Sequence, residues 1–267
     1  MPAPASTPAK KPAAAAGDRK FVTALSRGLD VLRCFGPRDR WLSNQEISRR
    51  TGLAKPTVSR LAYTLTRLGY LRFSDAVGKY ALGSAALSLG YAALGQLDVR
   101  RVARPLMQEL SEHTKTSVHL AVNDRLSMQV VDTYWNAAAF VIDIGSRVPV
   151  ATTSLGRAYV CALPPEERKR ILDAIRDVRP EEWSTTKKRF DQAFKDYEDL
   201  GFCFSLGDWR REVNGVACPL VPGDGSGPIV IGCSGPAFQL EPELLRREVG
   251  PRLLALVGNL RSGLATD

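Results

Sequence analysis

Between Ser43 and Gly69 the chain has few structural choices. Ser43 is followed three residues later by Glu46. At that spacing a serine hydroxyl satisfies an orphan helix amide while the carboxylate reaches back to the cap. The helix begun there runs to about Thr51 and stops at Gly52. A second helix starts at Lys55-Pro56, since proline is tolerated at the first helical position, where its missing N–H costs nothing. Val58, Leu61, Leu65 and Leu68 recur on one face of it, and Gly69 ends it. Tyr70 to Phe73 and Lys79 to Leu82 predict two strands around Asp75-Ala76-Val77-Gly78. Upstream, Leu25, Leu29, Leu32 and Phe35 mark the inward face of a helix over 24–35, which Gly36-Pro37 stops, and Trp41-Leu42 predicts a very short strand. The pattern is helix, helix, glycine turn, helix, hairpin.

Charge singles out the same segment. The 267 residues allow two domains, and 44% hydrophobic residues supply two cores. The net charge of +9 is unevenly placed. Phe21 to Gly83 holds 11 Lys and Arg against 4 Asp and Glu, whereas Ser84 to Asp267 holds 22 against 23. One small basic unit beside a nearly neutral large one suits a polyanion, because each neutralised phosphate releases condensed counterions. A solvated charged surface is the alternative for a basic run taken alone.

In a helix-turn-helix the second helix enters the major groove with its N-terminal residues at base edges. Those residues are Lys55, Thr57, Ser59 and Arg60, all able to hydrogen-bond, and arginine can hold guanine bidentately. Thr64 and Arg67 follow along the exposed side toward phosphate. Lys79 in the hairpin, with Arg49, Arg50 and the helix start at Ser43, completes the candidate contacts to double-stranded DNA. The competing expectation is a three-helix bundle with a polar surface.

Residues 1–20, rich in Ala and Pro, predict a disordered tail; 21–83 is the winged helix-turn-helix domain and 84–97 a small-residue linker helix. A helix over Asp98–His113 follows, with Val102, Leu106 and Leu110 at helical spacing. Over 98–267 strands are expected at Ser117–Val122, Met128–Tyr134, Ala138–Ile142, Phe202–Leu206, Val213–Val221 and Ile229–Ser234. Helices are expected at Ser154–Leu163, Pro165–Ile175, Lys187–Leu200 and Glu241–Arg261. Without strict βαβ alternation the expected class is α+β, a mostly antiparallel sheet flanked by helices.

Enzyme signatures are missing from the sequence. His113 and His119 are six residues apart across a helix-to-strand change and read as structural rather than as a metal pair. There is no HExxH, P-loop or GxGxxG, and Gly232-Cys233-Ser234-Gly235 lacks nucleophile-elbow spacing. No cofactor or metal is expected. The five scattered cysteines fit buried thiols in a reducing compartment; with no secretory signal and no apolar run long enough for a bilayer, a cytoplasmic protein is expected.

Ser26-Arg27-Gly28-Leu29-Asp30-Val31-Leu32 resembles the opening helix of IclR-type transcriptional regulators. Leu42 to Ile47 and Thr51 to Leu61 resemble their helix-turn-helix, and Leu68-Gly69-Tyr70-Leu71 with Lys79 to Gly83 their wing. Ser154-Leu155-Gly156-Arg157-Ala158 resembles the helix start beside the family's effector pocket. Glu212, Gly215 and Ala217-Cys218-Pro219-Leu220 resemble the strand entering that pocket, and Ser234-Gly235-Pro236 its partner. Cys218 and Ser154 depart from the pattern, standing where many relatives carry alanine or a residue like it. The resemblance implies a GAF-like effector domain, a homodimer or homotetramer, and control of a catabolic operon. It also implies that Thr152-Thr153-Ser154, with the amides of the helix opening Leu155-Gly156, receives the carboxylate of a small organic acid. Plain helix capping by these hydroxyls is the alternative. Cys218 and Ser234 would wall the ligand, and Trp209, Arg210 and Glu212 either close over it or form a solvent-facing turn. A second possibility is that the large domain only oligomerises or recruits a partner.

Overall fold

The computed structural model describes residues 20–95, 97–135, 142–223 and 227–264. The tail expected over 1–20 lies outside them except for Lys20, and so does the strand expected at Ala138–Ile142 except for Ile142, which is not in a strand. The chain divides between Leu97 and Asp98 into two compact units.

The first unit contains α1 (Thr23–Arg33), α2 (Asn44–Thr51), α3 (Lys55–Arg67), β1 (Leu71–Ser74), β2 (Lys79–Leu82) and α4 (Ser84–Gly95). Ser43 caps α2 in a complete capping box, and Gly52 closes it at φ 69°, a left-handed conformation that glycine adopts without a Cβ penalty. β1 and β2 form the antiparallel wing with Leu71 opposite Leu82, and Leu42 adds a single bridge to Tyr80. Val31, Leu42, Ile47, Leu53, Val58, Ala62 and Leu71 form the core, with Leu32, Phe35, Leu61 and Leu65 packed against it.

Two expectations about facing need correction. Leu25 and Leu29 are exposed, and Val31 carries the buried face of α1. Leu68 is also exposed, because α3 ends at Arg67 and turns its Ala62 side to the core.

The second unit is one six-stranded antiparallel sheet with helices on both faces. Its strands are β3 (Ser117–Asp124), β4 (Ser127–Tyr134), β5 (Arg147–Pro149), β6 (Cys203–Leu206), β7 (Val213–Leu220) and β8 (Ile229–Pro236), in the order β5-β4-β3-β8-β7-β6. Two meanders, one from each end of the unit, are therefore joined at their middle by β3 and β8, with His119 opposite Gly232. The helices are α5 (Asp98–Thr114), α6 (Ser154–Ala162), α7 (Pro165–Val178) and α8 (Trp183–Leu200). A final run joins α9 (Pro242–Leu244), a π turn (Leu245–Val249) and α10 (Gly250–Leu264). On α5 the buried apolar residues are Val99, Ala103, Met107 and Leu110, so the inward face is offset from the one expected, and Val102 and Leu106 lie only half-buried at its border.

α5 and α10 cover one face of the sheet and α6 packs on the other, with α8 against α6. α6 approaches closely because Gly156 has no side chain: a Cβ there would lie 2.2 Å from the Val150 backbone. The architecture is the α+β arrangement anticipated from the sequence, a winged helix-turn-helix followed by an antiparallel sheet flanked by helices.

Candidate functional site

In the first unit, α3 presents an exposed face of Lys55, Ser59, Arg60, Tyr63, Thr64 and Arg67, while Thr57 is half-buried at its border. The described residues offer the Arg60 guanidinium no hydrogen-bond or ion-pair partner, so it is available to a base edge. Ser59 is partly engaged: its hydroxyl accepts a bond from Asn44 Nδ2, tying α3 to α2. Thr64 donates to the Arg60 carbonyl at 3.1 Å. Arg49 is exposed.

Three other expected DNA contacts have work inside the fold. Ser43 donates to the Glu46 carboxylate at 2.7 Å and accepts from its amide at 3.2 Å. The Ser43 backbone amide, which donates to the same carboxylate at 2.8 Å, and then the Ser43 hydroxyl hold the Glu46 carboxyl below its ordinary range. Lys79 lies half-buried with Nζ 3.9 Å from Glu46. Arg50 pairs both guanidinium nitrogens with Asp39 and donates to the Cys34 carbonyl at 2.9 Å. This pairing lowers the Asp39 pKa and raises that of Arg50. Arg50 is therefore a clasp between α1, the following loop and α2 rather than an exposed phosphate contact. Two residues not singled out in the sequence lie on the same unit's surface: Tyr63, 65% exposed in the middle of the α3 face, and Arg72 of β1, which stacks over the Trp41 ring at 4.8 Å.

In the second unit, α6 begins against the sheet at a small cavity. Its walls include Ser154, Leu155, Trp209, Ser234, His119 and Ser205, with Val148 and Val213 among the apolar ones. About 30 Å³ of it is open to water-sized occupants, room for a couple of waters. Thr153 is the N-cap: its hydroxyl accepts from the Gly156 amide at 3.1 Å and donates to the Pro149 carbonyl at 2.7 Å. The cap so formed leaves the Ser154 and Leu155 amides as the orphans of the first turn. Ser154 and Ser234 both lie close to one position, since a Cβ at Gly215 would lie 3.1 Å from Ser154 Oγ and 3.5 Å from Ser234 Cβ.

Of the expected pocket residues, Ser154, Leu155, Trp209 and Ser234 meet here, and three do not. Gly156 is used against Val150. Glu212 is exposed, and its carbonyl accepts from the Ala237 amide at 2.8 Å. Cys218 is an odd number of residues from Val213 and Gly215, which wall the cavity, so it points to the opposite face of β7. There its thiol donates to the Gly201 carbonyl, and burial pushes its pKa up to about 12.

His119, read as structural from the sequence, also lines the cavity. It is buried, with Nδ1 2.8 Å from Thr133 Oγ1 and Nε2 2.9 Å from Ser234 Oγ, and desolvation pulls its pKa down to about 4. Nothing local in the sequence shows that Ser234, 115 positions away, meets it. Beside the cavity, the buried Arg157 donates to the Phe204 carbonyl at 2.8 Å and pairs with Asp208 at 2.8 Å. Asp208 also pairs with Arg189, so the 207–212 loop bearing Trp209 is tied to both α6 and α8.

A basic winged-helix unit, joined to a sheet-and-helix unit with a small cavity at the start of α6, fits the class of DNA-binding transcription regulators with a separate effector domain. Residues 24–75 match the IclR helix-turn-helix domain and residues 91–257 the bacterial transcriptional regulator IclR C-terminal domain. The chain belongs to the IclR family of bacterial transcriptional regulators. It is 32% identical over 246 residues to the HTH-type transcriptional regulator TsaQ1/TsaQ2 of Comamonas testosteroni, covering 91% of this chain and 88% of that one. An IclR family transcriptional regulator of Brucella abortus superposes with a TM-score of 0.81 at 50% identity, covering 92% of this chain and 94% of that structure. An IclR homologue from Microbacterium hydrocarbonoxydans, solved with 4-hydroxybenzoate, shares the fold at 20% identity and TM-score 0.73, over 92% and 100% of the two chains.

Proposed function

We propose that the protein binds a pseudo-palindromic operator as a homodimer or homotetramer and controls a catabolic operon in response to a small organic acid. α3 enters the major groove, with Arg60 and Thr57 at base edges, Ser59, Lys55 and Tyr63 beside them, and Arg67, Arg49, Thr64 and Lys79 along the phosphates. The acid's carboxylate sits on the Ser154 and Leu155 amides at the start of α6, and its body lies between Trp209 and Ser234. The protein would act in the cytoplasm, without catalysis.

The observation that carries this reading is the cavity: the start of α6, at Ser154 and Leu155, meets Ser234 in a small pocket whose walls mix apolar residues with a few polar ones, His119, Thr153 and Ser205 among them. The homologue bound to 4-hydroxybenzoate supports an organic acid as the ligand class, though it shares only the fold. A ligand can shift DNA affinity only by favouring one conformation of the protein over another.

The test is a thermal shift against a panel of small carboxylic acids, followed by operator binding with and without the acid that stabilises. At about one hundred times its Kd a ligand adds about 2.7 kcal/mol. Ser154→Trp fills the cavity and is expected to abolish the ligand response while leaving operator binding intact. A variant that still responds normally places the effector elsewhere.

A further inference from the structure

A second, larger hollow lies at the other end of α6. Cys161, in the last turn of that helix, forms part of its wall, whereas Ser154 and Leu155 of the first turn wall the first cavity. From Ser154 to Cys161 is about 10 Å along the helix axis, and the two hollows share no lining residue. The volume is about 580 Å³, in the range that encloses a small organic molecule. Residue spacing explains how it is built. Phe194, Tyr197 and Glu198, three and four positions apart, share one face of α8, and Leu254 and Arg261, seven apart, share one of α10. Arg168 of α7 and Cys218 of β7 complete the wall. Two guanidinium groups and one carboxylate therefore face the hollow. The helix ends that would make it negative are covered. Arg168 donates to the Cys161 carbonyl at 2.8 Å and the Leu163 carbonyl at 3.2 Å, at the end of α6, and lies 4.7 Å from the centre of the Phe194 ring. The Cys218 thiol donates to the Gly201 carbonyl at the end of α8. Arg261 is not engaged in this way. It is exposed, and neither its guanidinium nor the half-buried Tyr197 hydroxyl has a hydrogen-bond or ion-pair partner among the described residues.

We infer that this hollow is a second ligand site, separate from the cavity at the start of α6, and that it takes an organic anion with an apolar, ring-sized body. The anionic group meets Arg261, with the Tyr197 hydroxyl as a further donor, and Arg168 adds a fixed positive charge to the wall. The body of the ligand lies against Phe194 and Leu254, which supply the apolar surface that such sites need to hold a ligand out of water. Glu198 is exposed and opposes the anion, so its removal and the removal of Arg261 act in opposite directions.

The experiment uses the full-length protein and three probes of similar shape and different charge: naphthylacetate, naphthylacetamide and naphthylethylammonium. Calorimetric titration of the native protein is expected to show the carboxylate binding about fivefold tighter than the neutral amide, with the ammonium weakest. Arg261→Gln should bring the carboxylate-to-amide ratio close to one, and Glu198→Gln should raise it. Both residues are exposed, and opposite responses from them do not arise from damage to the fold. Leu254→Trp, which fills the hollow, should weaken all three probes together. Ser154→Trp, in the other cavity, should leave them unchanged, which keeps this site distinct from the effector reading. An amide that binds the native protein as tightly as the acid overturns the inference, as does an unaltered ratio in Arg261→Gln. Binding lost in Ser154→Trp and kept in Leu254→Trp puts the ligand in the first cavity and overturns it too. If no probe binds the native chain and Arg261→Gln sediments as a smaller assembly, the hollow belongs to a contact with a second copy instead; no binding with assembly unchanged leaves it without a ligand of this class, and either result overturns the inference.

Discussion

Arg60 and Arg50 carry the same charge on neighbouring helices, yet their surroundings give them opposite fates. Arg60 stands exposed on α3, whereas Arg50 is clasped by Asp39 and the Cys34 carbonyl. Arg60→Ala should therefore cost about 1–3 kcal/mol of operator binding and relax specificity at one base pair. Arg50→Ala should leave base preference unchanged and lower stability by about 1 kcal/mol, a modest loss because the pair is partly exposed. Titration of operators carrying single-base changes, beside urea unfolding, separates the two; an Arg50→Ala protein with altered base preference would place that residue at the DNA after all. His119 gives a second test at this scale. Both its hydrogen-bond partners are hydroxyls, and burial lowers its pKa from 6.5 to about 4. Between those values the unfolded chain binds more protons than the folded one, so stability falls as pH drops from about 6.5 toward 4. The loss attributable to this group approaches about 3 kcal/mol below that window. His119→Gln should flatten that part of the pH profile of the urea midpoint; parallel profiles for the two proteins would contradict the assignment.

At the scale of elements, Asp208 shows how one loop is held by two unequal ties. Arg157 reaches it from a buried position on α6, and Arg189 from the surface of α8. Arg157→Ala removes the buried partner, leaving Asp208 with Arg189 alone and the Phe204 carbonyl without its donor, and should cost about 1.5–3 kcal/mol, against less than about 1 kcal/mol for Arg189→Ala. Comparable urea midpoints for the two variants would show that the tie to α6 is not the stronger one. Most elements were legible in the sequence: the capping box, Gly52, Pro56 and the wing turn are local signals, and they placed α2, α3, β1 and β2 within a few residues. Facing was much less legible. β7 is buried on both faces along its length, so no polar alternation distinguishes the cavity side from the α10 side, and Cys218 was assigned to the wrong one. His119 becomes a site residue only through the pairing of β3 with β8, a long-range contact that no local pattern encodes.

For the whole molecule, the two units differ in charge and in what they leave uncovered. The excess of Lys and Arg is confined to the winged unit and the tail before it, so operator affinity should fall steeply with salt, and Lys79→Ala should lessen that slope without changing base preference. α4 raises a separate question. It has twelve residues, none charged and none buried, and Leu87, Leu89 and Tyr91 are all about 60% exposed or more. A helix this short is marginal in water unless an apolar face is covered, and a neutral helix carrying three large exposed apolar side chains has little to gain from DNA. Phe21, Val22, Leu25 and Leu29 on and before α1 add a second exposed apolar stripe in the same unit. A second copy of the chain is the occupant that would also supply the two-fold symmetry of a palindromic operator. Sedimentation velocity at micromolar concentration should accordingly show a dimer or larger for the native chain. Leu87→Glu with Leu89→Glu should shift it toward monomer and weaken binding to a full operator far more than to a single half-site. A native chain that sediments as a monomer with and without operator, or a double variant that stays assembled, would remove α4 from the interface.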